Sequence, residues 1–375
     1  MTVLTKLLER FSHVSSHPGE QLRHYLEQGK QVVGCFPSYT PEELVEAAGM
    51  VPMGLWGGPV EPFLAKKYLP AFACPILQST LEMGLSGVYK GLSAVMIPTL
   101  CDTFRCITQD WLAGVPDIPM IPVSYPQNRT PAGMSFLTHE YGVVERKLEA
   151  ICGHEISPPE LERSIHVYHR HSELMCQFTA LANDHLDVIT PKVRHQIMKS
   201  AWFLTKEEHT ALMISLLEEL KALPPYSWNG KRVILTGIAS EPEELLDILA
   251  ENQVAVVGDD LAQESRQYRA KIPAKGETPL ARLAGKWREQ LCSLAHDASS
   301  KARVDMLVDM ARTTGADGAV ACMMKFCDPE EYDFPLISNA LEASPGIPTL
   351  FLEVDQQPGS AEQIRTRLQT FAEVM

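Results

Sequence analysis

Apolar residues along this chain come in two textures. Short continuous runs, QVVG (31–34), LSAVMIP (92–98) and DIPMIPV (117–123), are separated by amphipathic stretches. That alternation predicts strands connected by helices. From about residue 132 to 222 the apolar side chains instead recur every three or four positions, as in FLTHEYGVVERKLEAI and ALMISLLEELKAL, which predicts a helical layer. After the turn-rich PPYSWNG (224–230) a second strand series begins with KRVILTG, VAVVGDD, DGAVACMMKF and IPTLFLEV, each followed by a helical segment. These runs are continuous rather than alternating, as in parallel strands covered on both faces. The expected fold is α/β, with two doubly wound parallel-sheet domains of Rossmann or flavodoxin type and a helical segment between them. The first domain takes residues 1–226, its helical extension starting near 130, and the second takes residues 227–375. The two halves are candidates for one shared architecture.

Composition agrees with a globular chain: 375 residues, 45% hydrophobic and 21% charged, enough for two cores. The 47 acidic against 33 basic side chains give a formal charge of -14, and no basic run is present, so no nucleic-acid partner is expected. MTVLTKLLERFSHVSSHPGE lacks the apolar core of a signal peptide, and no segment approaches the run of about 20 apolar residues that a membrane span needs. A cytoplasmic protein without membrane contact is expected. Its nine cysteines are then reduced thiols, either packed or ligating.

No GxGxxG, GxxxxGK[ST], GxSxG or HExxH occurs, which removes the usual support for nicotinamide, nucleotide and serine-hydrolase chemistry. In doubly wound sheets ligands gather at the carboxyl ends of the strands. Two apolar runs end there in a thiol: LSAVMIPTL leads into Cys101-Asp102, and GAVACMMKF leads into Cys327-Asp328-Pro329. Asp and Pro suit a first helical turn, and a helix N-terminus favours the thiolate that binds metal. Cys74, before Pro75 in AFACPILQS, is a third candidate of the same kind. Three such thiols from separated segments converge only at a cleft between the domains.

Each cysteine also has a plainer reading, since free Cys is among the most buried residue types. Cys35, Cys152, Cys176 and Cys292 are read as packed side chains, and Met323-Met324 as core. The spacings Cys101/Cys106 and Cys322/Cys327 would equally suit a four-thiolate zinc site, although Cys322 falls inside an apolar strand. His166, His169 and His171 lie in an amphipathic helical stretch and are expected to be solvated, without a role.

Longer blocks carry a more specific signal. GCFPSYTPEELVEAAGMVPMGLWGG (34–58), PAFACPILQS (70–79), CDTFRC (101–106), HEIS (154–157), DDLAQESRQYR (259–269), MMKFCDPEEYDFP (323–335) and DQQPGSAEQIRTRLQTFAE (355–373) stand in this order. With them the chain resembles the 2-hydroxyacyl-CoA dehydratase family, which also contains benzoyl-CoA reductase subunits. MGLWGG, DDLAQESRQ and MMKFCDPEEYD resemble the β-type subunits of the lactoyl-, phenyllactyl-, 2-hydroxyisocaproyl- and 2-hydroxyglutaryl-CoA enzymes.

The resemblance implies one 4Fe-4S cluster per chain, held by Cys74, Cys101 and Cys327 with one non-protein ligand, and no ligand role for Cys106 or Cys322. It implies a lyase that removes water from a (R)-2-hydroxyacyl-CoA to give a 2-enoyl-CoA through a ketyl radical. An ATP-dependent iron-sulfur activator, a transient partner, would supply the electron. A homologous α-type subunit would complete a heterodimer and carry most of the acyl-CoA site, leaving no catalytic residue on this chain beyond the cluster. The alternatives are a stand-alone iron-sulfur redox protein and a benzoyl-CoA reductase-like subunit.

Overall fold

A computed structural model describes residues 2–292, 302–357 and 361–375. Within the DQQPG block, positions 358–360 lie outside the described residues. The first sheet contains β1 (Val32–Cys35), β2 (Val51–Gly54), β3 (Ala94–Pro98) and β4 (Met120–Val123). The second contains β5 (Lys231–Gly237), β6 (Val254–Leu261), β7 (Gly318–Met324) and β8 (Thr349–Val354). Every strand pairing is parallel, and the orders are β2-β1-β3-β4 and β6-β5-β7-β8. The two halves therefore repeat one strand order, second-first-third-fourth, as the apolar texture suggested.

Strands β1, β3, β6 and β7 are buried at every position, because helices cover both faces of each sheet. Strand β2 has no clear signal in the sequence. It is only four residues long and contains Pro52, which weakens the strand signal, but it forms a sheet edge where a missing N–H is tolerated. Helices Pro131–Cys152, Pro158–Leu181, Pro191–Ser200 and Lys206–Lys221 make the predicted helical layer. The N-terminal helix Val3–Ser16 packs on the last two of these, with Phe11 wholly buried among Met175, Phe178 and Leu216.

The largest buried apolar cluster runs without interruption through both sheets, from Val32 and Met96 to Val320 and Leu352. At roughly 25 cal/mol per Å² of apolar surface removed from water, this shared core is the main force holding the halves in register. Among the described residues no helix is long and apolar enough to cross a membrane.

Candidate functional site

In each sheet the chain changes direction between the first and third strands, so a crevice opens at the carboxyl ends of β1 and β3, and another at those of β5 and β7. The two crevices face each other. Together they bound a cavity of about 480 Å³, many times the roughly 30 Å³ that one water occupies. Pro37 and Ser38 after β1, Leu100 and Cys101 after β3, Ile238 after β5, and Met324 and Cys327 at the end of β7 all line it. Its mouth is flanked by Phe326 and Tyr332, which are 48% and 82% exposed.

Cys74, Cys101 and Cys327 all line this cavity, and each is the N-cap residue of a helix: Pro75–Leu85, Asp102–Gly114 and Asp328–Ala343. The local sequence explains why. Pro75 sits at N1 of the first helix and Pro329 opens the third, while Asp102 and Asp328 place carboxylates in the first turn. Three positive helix ends thus meet at one cavity, an arrangement suited to an anionic group.

The electrostatics correct one expectation. Helix N–H groups do pull the thiols toward ionisation, through Leu77 and Ile76 at Cys74 and through Phe104 and Thr103 at Cys101. Burial outweighs them. It pushes the Cys74 thiol up to about 12, with the nearby Cys101 sulfur adding to the rise, and it raises Cys101 as well. Cys327 is pushed well above the ordinary thiol range by burial, by Glu330, and by Cys74 and Cys101. Cys74 senses the Cys101 sulfur, Cys327 senses both, Asp102 and Asp328 add to the rise at Cys101, and without a cation all three are held protonated.

The other cysteines separate cleanly. Cys106 is exposed and Cys322 is sealed inside β7, and neither lines the cavity, so the structure does not assemble the four-thiolate zinc alternative. Among the described residues no three His, Cys, Asp or Glu side chains close on a point that a single metal ion would occupy. The three thiols surround a space instead. Trp56, another lining residue, keeps its Nε1–H buried without a partner, a donor available to an acceptor such as sulfide. Donor set, cavity size and converging helix ends all fit an iron-sulfur cluster.

Two further expectations change. Cys35 and Cys292 are buried as read, but Cys152 is only half-buried and Cys176 is exposed, because Met175 and Phe178 take the inward face of its helix. His166 is solvated, whereas His169 is half-buried against the Ile272 carbonyl and His171 is buried, sharing a 3.0 Å hydrogen bond with His209. Burial holds His171 well below the usual imidazole range, so it is a neutral core residue. Met323 and Met324 are buried, as expected of core, and Met324 also contributes to the cavity wall.

Side-chain networks behind the site were not foreseen. Arg266 donates to Asp260 at 3.0 and 3.1 Å and to Glu330 at 2.8 Å, while Arg303 donates to Asp260 at 2.9 Å, Glu330 at 2.6 Å and Asp333 at 2.7 Å. Arg269 closes the group on Asp260. Arg266 thereby joins DDLAQESRQYR to CDPEEYD, and Arg303, from a segment outside both, binds acidic residues of each.

Comparison with known proteins gives consistent results. Residues 37–375 match the family described as 2-hydroxyglutaryl-CoA dehydratase, D-component. The chain is 44% identical to the (R)-phenyllactyl-CoA dehydratase beta subunit of Clostridium sporogenes, over 99% of each chain. It is 43% identical to the lactoyl-CoA dehydratase subunit beta of Anaerotignum propionicum, over 100% of each. With the (R)-2-hydroxyglutaryl-CoA dehydratase subunit beta of Acidaminococcus fermentans it shares 37% identity over 99% of each. All three relatives are dehydratase β subunits, which favours a dehydratase component over a stand-alone redox protein or a ring-reducing subunit.

Proposed function

The chain belongs to the 2-hydroxyglutaryl-CoA dehydratase D-component family, and on that premise we propose that it is the β-type iron-sulfur subunit of a (R)-2-hydroxyacyl-CoA dehydratase. As a dehydratase component it is part of a hydro-lyase. One observation carries the finer reading: Cys74, Cys101 and Cys327, drawn from both halves, line a single cavity at three helix N-termini.

In this reading those thiols hold one 4Fe-4S cluster, and the fourth iron takes the non-protein ligand that the family resemblance implies. A bound cluster would supply one-electron chemistry, and the partners this reading implies are an ATP-dependent iron-sulfur activator as electron source and a homologous α-type subunit as recipient. The chain's own residues do the rest. The helix ends offset the anionic charge, Leu77, Leu100, Ile238 and Met324 keep water from the walls, and the mouth beside Phe326 and Tyr332 leaves a side open to a donor. Since the metal-free thiols are held protonated, loading releases protons and weakens as pH falls. The reaction of the whole enzyme is ketyl-radical elimination of water to a 2-enoyl-CoA on acyl-CoA bound mainly by the α-type partner, in the cytoplasm.

Purification without oxygen tests this. The chain should carry about four iron and four sulfide, bring down an α-type partner at equal stoichiometry, and eliminate water once activator, ATP and a 2-hydroxyacyl-CoA are supplied. A colourless, iron-free protein prepared under those conditions would overturn the reading.

A further inference from the structure

Three residues from distant sequence blocks, none of them a cysteine, meet at one point behind the cavity: Gly57 of MGLWGG, Ser79 at the end of PAFACPILQS, and Gln356 of DQQPG. Ser79 Oγ donates to Gln356 Oε1 at 2.6 Å. Gln356 Nε2 donates to the Trp56 carbonyl and to Glu241 Oε2, each at 2.7 Å, and Lys199 Nζ donates to Glu241 Oε1 at 2.8 Å. Ser79, Gln356 and Glu241 are 2%, 4% and 7% exposed, so this joint is dry. Gly57 has φ +69, and a Cβ there would fall 1.9 Å from Ser79 Oγ and 2.8 Å from Gln356 Oε1. Glycine at 57 is what leaves room for the hydrogen bond.

The placement of these groups gives the joint a purpose. Ser79 lies in the helix that Cys74 caps, and Trp56 lines the cavity. Gln356 follows β8, whose Val354 pairs with Met324 of β7, three residues before Cys327. The joint therefore ties the helix bearing Cys74 to the strand pair bearing Cys327, across the boundary between the halves. Only a primary amide meets this need, with one oxygen to accept from Ser79 and two N–H groups for Trp56 and Glu241.

We propose that Gln356 is a positioning residue, holding the Cys74 helix at the separation from Cys327 that cluster binding requires. The proposal rests on the iron-sulfur reading above. A glutamate at 356 would lose the donor to Trp56 and set two buried carboxylates together, and a leucine would strand the Trp56 carbonyl and leave the Ser79 hydroxyl only the Ile76 carbonyl of its own helix, 3.0 Å away.

The test uses the full chain as Gln356→Leu, Ser79→Ala, Gln356→Glu and the double variant Gln356→Glu/Glu241→Gln. It reads the rate at which a chelator removes iron from the anaerobically loaded protein, and the cluster's EPR line shape and midpoint potential. Gln356→Leu should release iron about tenfold faster than the wild type with an altered EPR signal, Ser79→Ala should fall between, and the double variant should recover part of the loss seen in Gln356→Glu. Release within about twofold of the wild type and an unchanged potential in both Gln356→Leu and Ser79→Ala would overturn the proposal, and should Gln356→Leu not fold, Ser79→Ala decides. A metal-free arm separates the two claims: a short bis-maleimide should bridge Cys74 and Cys327 in the wild type and not in the variants. A wild type that binds no iron but still shows this contrast would sink the iron-sulfur reading and leave the positioning role standing. Equal bridging in all chains would sink the positioning role alone.

Discussion

Cys101 and Cys327 occupy equivalent places, each after the third strand of a sheet with the same order and each capping the helix that follows, yet those helices are anchored by different forces. The helix Asp102–Gly114 is held by apolar packing. Phe104, Ile107 and Trp111 are buried, Trp111 meets Phe36 edge-on at 5.4 Å, and its indole N–H donates to Ile118 O, while the Asp102 carboxylate stands in solvent. In the helix Asp328–Ala343 the first turn is instead held by Glu330, buried between Arg266 and Arg303, with Ile337 and Leu341 packing only further along. Apolar anchoring degrades in proportion to the atoms removed, whereas charge anchoring depends on every partner and on pH. The teaching is that one sheet geometry can present equivalent thiols on supports with different failure modes.

The largest way to break this contrast is Arg266→Met. It removes the cation shared by Asp260 and Glu330 and leaves buried charge undercompensated, at an expected cost of about 3–5 kcal/mol in denaturant unfolding. A loss under about 1 kcal/mol would mean that Arg303 and Arg269 suffice, and that the network is not what anchors this helix.

Acid should separate the halves next. Burial raises the Glu330 carboxyl, but Arg266 and Arg303 outweigh it and hold it at about 2, below its ordinary 4.5. Because the folded value is the lower one, this stabilisation is fully present above about 4.5 and drains away as pH falls through about 2. Unfolding measured at steps across that window should show the wild type losing stability, and Glu330→Gln losing less of it. An identical slope for both chains would remove Glu330 from the account.

Smaller effects sharpen the apolar side. Ile107→Val should cost about 1 kcal/mol, with no added dependence on pH or salt, because it deletes one methylene from a packed site. Cys106→Ser, on an exposed position of the same helix, should stay within about 0.5 kcal/mol of the wild type. A pH-dependent loss in Ile107→Val would show that the first helix also leans on charge.

Much of this was legible in the sequence, for identifiable reasons. Runs such as KRVILTG and GAVACMMKF announce buried parallel strands because burial on both faces demands uninterrupted apolar residues. Cys-Asp after such a run announces a strand end and a helix start, and both helices begin there, at Asp102 and Asp328. Spacing could not select Cys74, Cys101 and Cys327 over Cys106 and Cys322. That choice came from the resemblance, and the structure adds that only the first three line the cavity. Contacts between distant segments were hidden. Ser79 and Gln356 are bonded across 277 residues, and a hydrogen bond at that range imposes no periodicity on either segment. The inward turn of His171 was hidden for the same reason, since its partner His209 lies on another helix.

The central claim is that three thiols from both halves hold one cluster. Its most direct measurement is the iron and sulfide content of single variants purified without oxygen. Replacing Cys74, Cys101 or Cys327 by Ala should abolish cluster binding, while Cys322→Ala, five residues from Cys327 on the same strand-to-helix segment, should keep about four iron per chain and lose only about 1 kcal/mol of packing. Iron retained in Cys327→Ala and lost in Cys322→Ala would contradict the account.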